Sequence, residues 1–220
     1  MQELIRVAVD AMGGDNAPAE IVKGAVEALK ASTDLKVILV GQEEAVQQEL
    51  SKYQYDASRM EVVNATEIIE MAEPPVQAIR SKKDSSIVVA MKLVKNGEAD
   101  AFVGAGSTGA VLVGGQLIVG RLKGVERPPL APLLPTEKGA SLLIDCGANV
   151  DARPSHLVQF AKMGSIYMEN VVGIKNPRVA IVNIGAEEEK GNALVKETFP
   201  LLKECEDINF VGSIEAREIP

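Results

Sequence analysis

A chain of 220 residues that is 46% hydrophobic and 25% charged has the make-up of an ordinary globular protein, able to bury a sizeable core as one domain or two closely joined lobes. Its formal charge of −8, 3% aromatic content and lack of Trp argue against nucleic-acid binding, which needs a basic face to displace counterions and rings on which bases stack. No apolar run approaches the roughly 20 residues of a membrane span, and Met1 stands almost directly before the first strand, so neither anchor nor signal peptide is expected and the compartment is cytoplasmic.

Leu4–Val9 reads as a short buried strand, and the apolar residues Ile21, Val22, Ala25 and Leu29 predict a helix from Pro18 to Lys30. Between them lies Asp10-Ala-Met-Gly-Gly-Asp-Asn-Ala-Pro18, a strand-to-helix junction of the kind where α/β proteins bind anions. Gly13 and Gly14 permit positive φ and bring bare amides close to a ligand, while Asn16 is placed to cap the helix with Pro18 in its first turn. A tight turn with a polar cap would account for the glycines and Asn16 alone. Two acids, Asp10 and Asp15, favour function, because a mere turn does not need both.

Strand Leu35–Val40, helix Glu43–Lys52 and strand Met60–Asn64 follow, and then Ser81-Lys-Lys-Asp-Ser-Ser86 leads into a helix, Ser85–Lys95. Asp84 or Ser85 is the expected cap, and Lys82 and Lys83 beside that helix start form a second anion-binding arrangement, to which Arg80 adds charge; a solvated charged face is the bland alternative. Strand Ala101–Val103 runs into Gly104-Ala-Gly-Ser-Thr-Gly109 and a helix, Ala110–Arg121. This loop matches G-x-G-x-x-G in letters and context, but the expected acidic residue about 20 positions on is replaced by the basic, loop-like Arg121-Leu-Lys-Gly-Val-Glu-Arg-Pro128. The loop is therefore read as a phosphate or pantetheine cradle rather than a nicotinamide site, with Gly104, Gly106 and Gly109 shaping it and the Ser107 and Thr108 hydroxyls adding donors. Arg121, Lys123 and Arg127 form a second basic group.

The alternation breaks at Leu130–Leu134 and Ser141–Asp145, which read as a hairpin about Thr136-Glu-Lys-Gly139 and make part of the sheet antiparallel. It resumes with a helix from Ser155 to Val171, strand Val179–Asn183, helix Asn192–Glu204 and strand Ile208–Val211. Polar groups close two of these strands: Asp145 and Asn149 in Asp145-Cys-Gly-Ala-Asn149, and Asn183, Lys190 and Asn192 in Asn183-Ile-Gly-Ala-Glu-Glu-Glu-Lys-Gly-Asn192. Strand ends are where open α/β sheets hold ligands, though local turn hydrogen bonding explains the same residues. His156 reads as a surface residue at a helix start, Cys146 and Cys205 as two buried, reduced thiols, and nothing nominates a Ser or Cys nucleophile, a metal centre or a cofactor.

Taken together, Val7-Ala-Val-Asp-Ala-Met-Gly-Gly-Asp-Asn-Ala-Pro18, the Gly104–Ala110 loop, Lys123-Gly-Val-Glu-Arg-Pro128, Asp145–Asn149 and Asn183–Asn192 resemble the PlsX family of phosphate acyltransferases, in order and along the whole chain. The resemblance implies a three-layer α/β fold, mostly parallel with an antiparallel hairpin, like that of isopropylmalate dehydrogenases and phosphotransacetylases. It implies transfer of a fatty acyl group from acyl carrier protein to inorganic phosphate for phospholipid synthesis, by a homodimer that associates peripherally with the membrane. On this reading Gly104–Gly109 with Lys82 and Lys83 hold phosphate, Asp10, Asp15, Asn16 and Asn149 orient the reacting groups, and the basic groups face an acidic carrier protein. Family members usually carry Asn at the position of Ser107 and continue past Pro220, so the chain is expected to form a single α/β domain lacking the family's C-terminal part. A nicotinamide-dependent dehydrogenase of the isopropylmalate dehydrogenase type and a non-catalytic scaffold are the competing readings.

Overall fold

The computed structural model of the chain describes residues 4–219 and divides into two compact units, with the boundary after Arg121. The first unit contains β1 (Ile5–Asp10), α1 (Ala19–Ala31), β2 (Leu35–Gly41), α2 (Glu43–Leu50), β3 (Met60–Asn64), α3 (Pro75–Ser81), α4 (Ser86–Lys95), β4 (Ala101–Val103) and α5 (Thr108–Gly114). Its sheet is wholly parallel in the order β3-β2-β1-β4, with β1 pairing β2 from Ile5↔Leu35 to Asp10↔Val40. Such strands need a helical crossover between them, and burial on both faces makes them apolar throughout.

β2 shows this directly. Val37 and Leu39 pack with Val22, Val26 and Leu29 of α1 and Val46 and Leu50 of α2, while Ile38 and Val40 face the opposite layer with Ala8, Ala90 and Ala99. One strand thus holds a helix layer on each side. Beyond the second layer, Ile79 of α3, Ile87, Val88 and Met91 of α4 and Ala110 of α5 close a further cluster.

The second unit contains a hairpin, β5 (Leu133–Thr136) and β6 (Gly139–Leu142), then α6 (Pro154–Tyr167), β7 (Arg178–Asn183), α7 (Ala193–Lys203) and β8 (Asn209–Glu215). β7 and β8 pair in parallel, and their core joins Ile181, Ala161, Phe199 and Leu202, with the Phe199 and Phe210 rings edge to face at 5.2 Å.

Mostly parallel strands, helices on both sheet faces in the first unit and one antiparallel hairpin agree with the expected fold class. Several local expectations need correction. The hairpin is a separate two-stranded sheet, not an antiparallel part of the main one. α3 is a helix that the Pro74-Pro75 pair concealed, since a proline in the first turn gives up only an amide that has no partner there. α5 and α6 each pass into a wider π turn, Gly115–Val119 and Met168–Val172, stopped by Gly120 and Gly173 at positive φ. No helix among the described residues is long and apolar enough to cross a membrane.

Candidate functional site

Two glycine loops leave neighbouring parallel strands, β1 and β4, at their carboxyl ends and meet. A Cβ placed on Gly106 would lie 3.2 Å from Gly13 Cα, and one on Gly13 would lie 2.8 Å from Gly106 N, so the backbones touch only because both residues lack side chains. Gly14 takes φ +104°, which a residue with a side chain adopts only with strain. The amides of Ala105 and Gly106 find no acceptor among the described residues, and the first turn of α5 leaves further amides open beyond them. Ser107 is buried and its Oγ caps this helix by accepting from Ala110 N at 3.3 Å, whereas Thr108 is exposed at the first helical position. Gly109 packs against Pro75 of α3, and Gly104 against the Phe102 ring.

Asp10 lies beneath this meeting point, 1% exposed. Its Oδ1 accepts from Met12 N at 3.1 Å, while Oδ2 is buried without a hydrogen-bond partner against Gly13. Burial pushes the Asp10 carboxyl above the usual carboxylate range, and the nearby Ser86 hydroxyl and the Met12 and Gly13 amides only partly oppose the shift. Asp15 and Asn16 are exposed on the same loop. Asn16 does not cap α1 as expected: Pro18 occupies the cap position with no side-chain hydrogen bond, and Asn16 contributes its backbone carbonyl to Glu20 N at 3.1 Å.

Lys82 and Lys83 stand between α3 and α4 in the first unit. Lys82 Nζ reaches Glu73 Oε1 and the Ile68 carbonyl, each at 2.5 Å, and Lys83 Nζ approaches the Ile79 carbonyl at 3.3 Å. Both ammonium groups thus meet acceptors of α3 and its preceding loop. Ser85, rather than Asp84, caps α4, and Asp84 holds Thr66 through its amide at 3.0 Å and its hydroxyl at 2.5 Å. Hollows of about 490 and 590 Å³ open beside α3, at Pro74, Val76 and Arg80, and beside α2, at Gln42, Glu43 and Asn64; neither includes a glycine-loop residue.

In the second unit the polar strand ends hold their own loops. Asp145 accepts from Leu130 N at 2.6 Å and Asn149 N at 2.7 Å, and the Asn149 amide donates to the Pro128 carbonyl at 3.1 Å. Asn183 donates to the Lys190 carbonyl and accepts from Ile184 N, Lys190 pairs with Glu187 at 2.8 Å, and Asn192 caps α7 by accepting from Val195 N. His156 is buried, contrary to the surface reading: Nδ1 accepts from Arg153 N and Nε2 lies 3.0 Å from Glu126 Oε2. Cys146 is exposed and Cys205 half-buried, so neither is the buried thiol expected. The stretch 120–132, after α5, contains no strand and hence no acid-tipped strand of the dinucleotide fingerprint.

A family model described as "Fatty acid synthesis protein" matches residues 5–220. The chain belongs to that family. Relatives in it include phosphate acyltransferases of Clostridium beijerinckii, 54% identical over 98% of this chain and 65% of the relative, and of Desulfitobacterium hafniense, 55% identical over 99% of this chain and 64% of the relative. The chain therefore spans just under two thirds of the length of these curated relatives. Among solved structures, a phosphotransacetylase from Streptococcus pyogenes superposes with a TM-score of 0.71 at 20% identity, over 96% of this chain and 68% of that one. The EutD phosphotransacetylase from Staphylococcus aureus gives 0.67 at 21% identity, over 96% and 69%. These two likenesses place the fold of this family member beside that of the phosphotransacetylases.

Proposed function

We propose that this chain carries the anion-binding part of a phosphate acyltransferase that moves a fatty acyl group from an acyl carrier protein thioester to inorganic phosphate, acting in the cytoplasm as a homodimer. The carrying observation is the contact of the Gly13 and Gly106 backbones at the ends of adjacent parallel strands, with open amides at Ala105 and Gly106 ahead of a helix. Amides converging at a helix start hold phosphate without a cation, because the helix end is itself partly positive. Membership of the family, and relatives called phosphate acyltransferases, support the same assignment.

In the reaction a phosphate oxygen attacks the thioester carbonyl, a C–O bond forms, the C–S bond breaks, and the carrier's thiolate leaves and takes up a proton. The residues assigned to it position phosphate and stabilise charge. Gly14, Ala105 and Gly106 offer amides, Thr108 offers its hydroxyl, and Asn16 its exposed amide group. Arg80 and Lys83 supply positive charge for an acidic carrier protein. The test is to mix the purified chain with acyl-loaded carrier protein and titrate free thiol with and without inorganic phosphate. Release that rises with phosphate and saturates is expected; release at the same rate without phosphate overturns the proposal.

A further inference from the structure

The Asp10 carboxyl is the strongest unexplained group in the first unit: a side chain 1% exposed, with one oxygen lacking any hydrogen-bond partner, at the point where the two glycine loops touch. We infer that Asp10 is a positioning residue for the anion site, a buried carboxyl group that clasps the Gly13 and Gly106 loops together, and that negative charge on it weakens phosphate binding. This rests on the reading of these loops as a phosphate site.

The groups around Asp10 come from three elements. Its own loop supplies the Met12 amide and Gly13, the β4–α5 loop supplies Gly104 and Gly106, and α4 supplies the Ser86 hydroxyl. None carries a charge. The charged residues nearest in sequence face elsewhere: Asp15 is exposed, Lys83 Nζ lies against the Ile79 carbonyl, and Asp84 holds Thr66. A carboxylate here would therefore be a buried charge without a counter-ion, which protonation relieves more readily than rearrangement does. The neutral acid fits a gap closed by two glycines. The anion would draw the loop amides inward, competing with phosphate for the same donors, and would add repulsion beneath the site. The absence of Cβ atoms at 13 and 106 belongs to the same device, since a methyl group on Gly13 would overlap Oδ2.

The test uses the full chain, wild type and Asp10→Asn, which keeps the shape but cannot ionise, with Asp10→Ala as the variant that removes the clasp. Inorganic phosphate affinity is measured by calorimetric titration across the acidic-to-alkaline range, and kcat and KM for phosphate alongside it. Phosphate's own titration is common to all three proteins. The expected result is that wild-type affinity, relative to Asp10→Asn, falls by up to about tenfold per pH unit above the Asp10 pKa, while KM rather than kcat carries the change. Superimposable wild-type and Asp10→Asn profiles overturn the inference, as does an Asp10→Asn protein as weak as Asp10→Ala at every pH. Hydrogen exchange at residues 104–109, compared between wild type and Asp10→Asn at each pH, reads the clasp without phosphate. Slower exchange in wild type at high pH, absent from Asp10→Asn, shows the carboxylate drawing the loop amides inward even if no phosphate binds and the anion-site reading fails; matched exchange overturns the clasp.

Discussion

Replacing Gly13 by Ala tests the loop contact with a single methyl group. Gly13 does not have positive φ, so the obstacle is space rather than backbone strain. The new Cβ would overlap Asp10 Oδ2 and stand 2.8 Å from Gly106 N and 3.0 Å from Gly106 Cα, closer than non-bonded atoms approach. Two of these three atoms are backbone and the third belongs to a buried side chain, so relief requires moving a loop. Overpacking of this kind costs about 1–3 kcal/mol. Gly24 is the internal control. It lies exposed within α1, an added Cβ meets nothing within 4 Å, and Ala should stabilise that helix by about 0.8–1.0 kcal/mol. The two variants should therefore differ by about 2–4 kcal/mol, which at ~2–4 °C per kcal/mol separates their Tm values by roughly 4–16 °C. Scanning calorimetry of the full chain measures this, and a Gly13→Ala protein that melts at or above the wild type would refute the packing argument. If the open amides bind phosphate, Gly13→Ala also weakens phosphate binding and Gly24→Ala does not.

Arg59 ties three elements together. Its guanidinium donates to the Leu29, Ser32 and Leu35 carbonyls and to Asp56. Lysine cannot reproduce that fork, so Arg59→Lys should lower the urea midpoint by the equivalent of about 2 kcal/mol; a loss under about 0.5 kcal/mol would show that the carbonyls are satisfied without it. For pH dependence, the Thr66 hydroxyl and amide hold the Asp84 carboxyl below its ordinary 3.8, so this stabilisation is present above 3.8 and lost as pH falls through the lowered native value. Asp84→Asn should flatten the acid limb of the urea-midpoint profile, and an unchanged slope below 3.8 would exclude the contribution. Asp10 has the opposite sign. Its native pKa is raised, so its favourable contribution is complete below 3.8 and lost as pH rises through the native value.

Local periodicity was enough to place most helices and strands, because one buried face per helix and two per central strand leave a pattern readable within a few residues. β2 illustrates this, with alternate residues serving two helix layers. The glycine loops were equally legible, since a turn that brings bare backbone to a ligand has few residue choices. Side-chain partners were not. Asp10 and Asp15 look alike in the sequence, yet one is buried beneath the Gly13–Gly106 contact and the other is exposed. Lys82 stands out in the sequence as a candidate phosphate ligand, but nothing in the sequence shows that Glu73 and the Ile68 carbonyl meet its ammonium. His156 looks superficial until the Arg153 amide and Glu126 are found at its two nitrogens. Composition and spacing thus determined the α/β class and which loops carry glycine. Only tertiary structure decided which polar groups face solvent, which hold their own loops and which is left buried without a partner, because those outcomes depend on chain segments far apart in sequence.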